Sequence, residues 1–269
     1  MNLLDDLLES AVACARAAGA IQKRRPRAAV IVEDKGDADI TTDVDLECER
    51  AILALVRARH PSHAVLAEEE TDHGGAAGEA PYLWIVDPLD GTKNYAHGYP
   101  RSCVSIAVAD RGTGNNVVVG VVFNPNTDEL FAASLGRGAS MNGAAIHVSP
   151  TPKLGRAMIA SALTYDTRQP GRRADREQLE RLARVLGAAE AVRSDGCCAL
   201  DLCDVARGRF DGYFERGLKA WDTAAGGLIV REAGGRTSTF DGAPHDPFGP
   251  ETLASNGRIH EELIKITAP

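Results

Sequence analysis

The chain predicts a layered α/β or α+β fold, and three observations carry that expectation. Runs with apolar residues at helical spacing alternate with short runs rich in Val, Ile, Leu and Ala. Three successive β-type runs are separated only by tight turns, as in an antiparallel meander. Hydrophobic residues occupy 44% of the 269 positions, enough to fill a core between layers.

Leu4, Leu8, Ala11, Ala15 and Ala18 fall on one face of a first helix. Residues 30–32 form a candidate strand. Asp43 is a candidate cap for a second helix, in which Val44, Cys48, Ile52 and Val56 recur every four positions. That helix should stop before His60-Pro61, because a proline disfavours helical backbone at the residue before it. Runs at 64–66 and 83–86 read as strands, and the polar Gly/Ala-rich stretch 71–80 reads as a surface loop. The meander takes 103–109, 117–124 and 129–134, with turns at Gly112-Thr113-Gly114 and Asn124-Pro125-Asn126. The chain changes character at Ser149-Pro150-Thr151-Pro152, so a boundary is expected between units 1–150 and 151–269. Beyond it come a strand at 157–161, a helix at 174–186 and a strand at 191–193. Helices at 196–206 and 221–233 follow, short strands flank the second of them, and a last helix covers 259–266. The charged stretch 166–173, which carries Pro170-Gly171, is expected to be mobile.

Composition excludes several functions. A formal charge of −8 leaves no electrostatic footprint for direct nucleic-acid binding. No apolar run approaches the length of a membrane span. The start, MNLLDDLLES, is acidic and lacks the basic region of a signal peptide. The six cysteines form no Cys-x-x-Cys pair and have no histidine at zinc spacing, and adjacent Cys197 and Cys198 are poorly placed to bridge each other. Reduced, mostly buried thiols in a cytoplasmic protein are the expectation.

The segment Asp87-Pro88-Leu89-Asp90-Gly91-Thr92 directly follows the apolar run 83–86. Its turn places two carboxylates at the end of a buried strand, with the N–H groups of Gly91 and Thr92 next in line. Hard cations such as Mg²⁺ take oxygen ligands together with phosphate, and free N–H groups at a helix start suit a phosphate. Standing alone, the segment reads equally as a capped turn with solvated aspartates. Two further clusters add to it. Glu68 lies in an acidic triplet just after the run 64–66, and Asp222 opens a helix, where it is also a natural N-cap.

In order, these segments resemble those of the inositol monophosphatase family of Mg²⁺-dependent, lithium-sensitive sugar phosphatases. Asp39-Ile40-Thr41-Thr42-Asp43, Glu68-Glu69, Trp84 to Thr92 and Trp221-Asp222 to Gly226 each match a family motif, over nearly the whole chain. The resemblance implies an αβαβα sandwich with the site between its halves. It implies two or three Mg²⁺ ions, with Glu68, Asp87 and the Leu89 carbonyl holding one, and Asp87, Asp90 and Asp222 holding the second. A metal-activated water is the implied nucleophile, oriented by a Thr92–Asp43 pair with Glu68 as base. Substrate contacts are implied for Asp90, Gly91, Thr92, Gly196, Cys197, Cys198, Glu215 and Asp222. Cys197 and Cys198 replace a family Ser/Thr-Ala pattern, so contacts through the backbone survive there and a hydroxyl contact does not. Lys93 adds positive charge beside the site, where it either pairs with phosphate or reaches solvent. Arg193 and Lys219 either read a second anionic group or are simply solvated.

The expected activity is hydrolysis of myo-inositol monophosphate or a similar small phosphorylated polyol or sugar, by a homodimer. Histidinol phosphate, fructose 1,6-bisphosphate, NADP and 3′-phosphoadenosine 5′-phosphate are alternatives within the family, since the metal motifs do not separate them. A second class is a regulatory member that binds a protein partner, such as RNA polymerase or an RNA-processing assembly. A haloacid-dehalogenase-type phosphatase is disfavoured, because it needs Asp-x-Asp and this chain has Asp-x-x-Asp.

Overall fold

The computed structural model describes residues 2–25, 32–36, 39–69, 80–162 and 173–268. The expected loops at 71–79 and 166–172, and positions 30 and 31, lie outside the described residues. The first helix, α1 (Leu3–Arg24), starts with a reciprocal capping box between Asn2 and Asp5. Its buried stripe runs through Leu7, Ala11, Cys14, Ala15 and Ala18, with Leu4 and Leu8 half-buried on its flank. An antiparallel pair, β1 (Val32–Gly36) and β2 (Asp39–Thr42), leads into α2 (Asp43–Arg59). Val44, Cys48, Ile52 and Val56 of α2 are buried against α1, and the helix stops at His60, before Pro61.

Seven strands then form one sheet: β3 (Ala64–Ala67), β4 (Tyr82–Asp90), β5 (Cys103–Asp110), β6 (Asn116–Asn124), β7 (Glu129–Ser134), β8 (Ala139–Met141) and β9 (Ala144–Ala145). They lie side by side in chain order; β3 and β4 are parallel and the rest antiparallel. A short helix, α3 (Thr92–His97), follows β4. The second half contributes β10 (Met158–Ala160), α4 (Arg173–Ala188), β11 (Ala191–Arg193), α5 (Cys198–Ala206), β12 (Gly212–Arg216), α6 (Ala220–Glu232), β13 (Arg236–Ser238), β14 (Glu251–Ser255) and α7 (His260–Thr267). Its sheet has the order β11-β10-β12-β14-β13, with β10 parallel to both of its neighbours and the other pairs antiparallel.

The layers follow from which faces are apolar. Helices α1 and α2 cover one face of the seven-stranded sheet. On its other face lie α5 and α6, which also meet strands of the five-stranded sheet. The outer face of that second sheet is covered by α4 and α7. The result is the αβαβα sandwich that the resemblance implied. No described helix is long and apolar enough to cross a membrane.

One glycine sets how closely the middle layer docks. A Cβ on Gly120 of β6 would stand 2.7 Å from the Ala225 carbonyl oxygen and 3.1 Å from its Cα, both backbone atoms of α6. Gly120→Ala is therefore expected to cost about 1–3 kcal/mol, because neither backbone can yield cheaply. As a control, Gly187 in α4 has open space at its Cβ, so Gly187→Ala should raise stability slightly. Chemical denaturation checks both; an unchanged midpoint for Gly120→Ala would mean that α6 is not seated this tightly.

Candidate active site

Strand β4 brings the first two carboxylates. It continues beyond the apolar run 83–86 through Pro88 to Asp90, with one extra residue between the rungs Asp87–Ser105 and Asp90–Cys103. This bulge turns the strand end where both aspartates sit, close enough for the charge of Asp90 to act on Asp87. The peptide between them is held from outside the sheet: Gln22 of α1 donates its side-chain amide to the Pro88 carbonyl at 3.0 Å. The Leu89 N–H donates to Asp87 Oδ1 at 2.9 Å.

Glu68 follows directly after β3, the parallel neighbour of β4, whose last rung is Ala67–Val86. Asp222 comes from the other side. Ser105, the rung partner of Asp87, donates to the Trp221 carbonyl at 2.9 Å and so anchors the start of α6 beside the strand. Asp222 is the third residue of α6 rather than its N-cap; Lys219 occupies the cap position, and Asp222 accepts the Lys219 N–H at 2.7 Å. The helix starts earlier than expected because Ala220 and Trp221 already join its first turn.

These four carboxylates converge electrostatically. Burial first, then the negative charges of Glu68, Asp90 and Asp222, push the Asp87 carboxyl well above the usual carboxylate range. Among the described residues, no lysine or arginine forms an ion pair with Asp87. Asp90 is also raised by burial, although the thiol of Cys197, the Ala199 N–H and the charge of Arg101 oppose the rise. Its Oδ2 accepts the Ala199 N–H at 2.8 Å, which puts the start of α5 against a carboxylate. Asp87, buried beside three other carboxylates, offers oxygen donors that fit a hard metal ion, which would supply compensating positive charge.

Gly91 adopts a left-handed backbone at φ 86°, and a Cβ there would stand 2.8 Å from the Arg101 carbonyl oxygen. Only glycine fits that bend without strain. It caps α3, so the first N–H groups of that helix have no partner within it.

The aspartate that meets Thr92 is Asp45, not Asp43. Thr92 Oγ1 donates to Asp45 Oδ1 at 3.1 Å and lies 3.0 Å from the Leu89 carbonyl. Asp45 is the third residue of α2 and is fully buried; its Oδ2 accepts the N–H of Thr42, the helix cap, at 2.9 Å. Asp43, the first residue of α2, instead pairs with Arg25. The signal was present in Thr42-x-x-Asp45, a capping-box spacing that selects the second aspartate over the first. Burial, reinforced by the charge of Glu69, pushes Asp45 up to about 6 despite its bonds to Thr42 and Thr92.

Glu215 of β12 is buried, accepts the Tyr213 hydroxyl at 2.6 Å, and is pushed up to about 8 by burial, with Asp201, Asp222 and Asp90 adding to the rise. Gly196 has φ 69°, Cys197 is the cap of α5, and Cys198 is its first residue. The Asn94 side-chain amide donates to the carbonyls of Asp195 and Gly196 and so ties α3 to this turn. Arg193 and Lys219 are exposed. Asp45, Asn94, Ser105 and Gln22 are the contributors that motif reading missed; the last three act through side-chain bonds to backbone of segments distant in sequence.

Residues 3–268 match the family model described as inositol monophosphatase family. The chain is 42% identical over 238 residues to "Inositol-1-monophosphatase" of Synechocystis, covering 88% of this chain and 80% of that one. It is 36% identical over 268 residues to "Nus factor SuhB" of Pseudomonas aeruginosa, covering 99% and 97%. The crystal structure of the extragenic suppressor protein suhB from Bartonella henselae superposes with a TM-score of 0.89 at 34% identity, covering 97% and 98%.

Proposed function

We propose, from the premise that the chain belongs to the inositol monophosphatase family, that it is a Mg²⁺-dependent phosphatase acting on myo-inositol monophosphate or a similar small phosphorylated polyol. The observation that carries the reading is the buried Asp87 carboxylate, surrounded by Glu68, Asp90 and Asp222 and paired with no lysine or arginine among the described residues. In this reading Glu68, Asp87 and the Leu89 carbonyl hold one cation, Asp87, Asp90 and Asp222 hold a second, and a third is compatible with the same cluster. When bound, the cations supply Lewis-acid stabilisation of the phosphoryl oxygens and make hydroxide available near neutral pH.

The chain's own groups do the rest. Asp45 holds the proton of Thr92 in one direction, which leaves the Thr92 oxygen lone pairs fixed toward the pocket to orient a water. Glu68 accepts that water's proton. The free N–H groups of Gly91 and Thr92 bind phosphate oxygens. Glu215 and the backbone at Gly196, Cys197 and Cys198 meet the substrate hydroxyls, with Glu215 kept in place by Tyr213. The reading includes a homodimer and a cytoplasmic setting, the second in line with six free, buried cysteines.

A phosphate-release assay over a panel of monoesters tests this. Turnover of inositol monophosphate should require Mg²⁺, vanish with excess EDTA and return on adding Mg²⁺. Activity unaffected by EDTA would sink the reading. Similarity to "Nus factor SuhB" over nearly the whole chain favours a second reading, a member that also engages a protein partner. An inert substrate panel at saturating Mg²⁺ would move the weight to it.

A further inference from the structure

The thiols of Cys103 and Cys197 take no part in the chemistry above, in which Cys197 serves only through its backbone, yet they face each other behind Asp90. Their sulfurs are 3.7 Å apart. Cys197 Sγ lies 3.1 Å, and Cys103 Sγ 3.8 Å, from Asp90 Oδ2. Both cysteines are essentially inaccessible to solvent, at 0% and 1% exposure. The topology sets this arrangement: Cys103 is the β5 rung partner of Asp90, and Cys197 caps the helix whose Ala199 N–H grips the same carboxylate oxygen.

Two thiolates on one tetrahedral Zn²⁺, each about 2.3 Å from the ion, lie about 3.8 Å apart, and a thiolate and a carboxylate oxygen lie about 3.5 Å apart. The observed S–S separation of 3.7 Å matches the first edge, and the two S–O separations, 3.1 and 3.8 Å, bracket the second. We infer that Cys103, Cys197 and Oδ2 of Asp90 form a binding site for a thiophilic d¹⁰ dication, Zn²⁺ or Cd²⁺. The ion replaces the two thiol protons, which leave to solvent, and takes three protein ligands with one position open. Sulfur ligands select such ions over Mg²⁺. The Arg101 guanidinium, which acts on both Asp90 and Cys197, offsets part of the anionic charge of the three ligands. A disulfide is the competing use of the pair. A disulfide needs a two-electron oxidant, which the site does not supply, whereas metal binding only displaces the two thiol protons.

The consequence for activity rests on the phosphatase reading; the binding does not. A soft dication on Oδ2 draws on the charge of Asp90 that would otherwise serve Mg²⁺, so it should raise the Mg²⁺ concentration needed for half-activation. The test is titration of the intact protein with Cd²⁺ in a phosphine reductant, read by thiolate-to-cadmium absorption in the ultraviolet. One equivalent should saturate the band. Cys103→Ala should bind at least tenfold more weakly while keeping its Mg²⁺-dependent turnover. If Cys103→Ala does not fold, Cys103→Ser gives the same comparison, since a hydroxyl does not replace a thiolate on Cd²⁺. No band at one equivalent, or equal affinity in a folded Cys103 variant, overturns the site. A clear band on a protein without phosphatase activity would keep the site and sink the phosphatase reading; an active enzyme without the band would do the reverse.

Discussion

Asp87→Asn is expected to lower kcat by about two orders of magnitude at saturating Mg²⁺, while leaving the metal-free protein at least as stable as the wild type. The first half follows from charge. Asp87 is the carboxylate proposed to serve both cations, and loss of even an indirect metal partner commonly costs tenfold or more. The second half follows from the environment of the folded chain. The Asp87 carboxyl sits well above its ordinary range because it is buried among three other anions. A group whose folded pKa is raised binds its proton more tightly in the native state, so native stability falls as pH climbs from the unfolded value, near 4, toward the folded one. Asparagine carries no such penalty. In EDTA, stability measured between pH 4 and 8 should therefore fall less steeply for Asp87→Asn than for the wild type. Turnover close to that of the wild type would show that Asp87 is no ligand. A loss of metal-free stability would mean that the carboxylate holds the fold together instead of serving a cation.

Asp90→Asn makes a useful contrast. It too should lose most turnover, but its carboxylate accepts the Ala199 N–H and the Cys197 thiol. Both donors meet the single oxygen Oδ2, which asparagine can replace with its carbonyl oxygen but alanine cannot, so Asp90→Asn should keep its stability while Asp90→Ala loses stability as well as activity.

Much of this arrangement was legible in the chain because local pattern and burial agree there. The meander strands β5, β6 and β7 fall within a residue of their expected bounds, since each is an apolar run between turn residues. The i, i+4 series of α2 is buried as expected. Three other features depend on tertiary contacts that leave no local mark. Helix α3 is six residues held between two left-handed glycines, Gly91 and Gly98, too short to show a period. Strands β8 and β9 are three and two residues long and exist only through pairing with β7 and each other. Strand β4 passes through Pro88, a residue that normally argues a strand has ended, because a bulge removes the need for its N–H. The choice between Asp43 and Asp45 is of another kind. Both follow a threonine pair on a strand-to-helix turn, and only the identity of the helix cap, Thr42, fixes which one faces Thr92.

That choice yields the sharpest test of the candidate site. Thr92→Ala and Asp45→Asn should each lower kcat by roughly a hundredfold, the range typical of positioned proton-handling groups, and change KM far less. The reason is that an oriented water matters chiefly in the transition state, whereas phosphate binding relies on backbone N–H groups that both variants keep. If the two side chains act as one unit, the double variant should be hardly slower than either single one, because removing Asp45 from a protein already lacking the Thr92 hydroxyl removes nothing further. Asp43→Asn serves as the counter-case. Asp43 pairs with Arg25 at the entry to α2, so its replacement should leave kcat within a few-fold of the wild type. Additive losses in the double variant would separate Thr92 from Asp45. A hundredfold loss in Asp43→Asn with an unaffected Asp45→Asn would return the orienting role to the first aspartate and require α2 to begin in a different register.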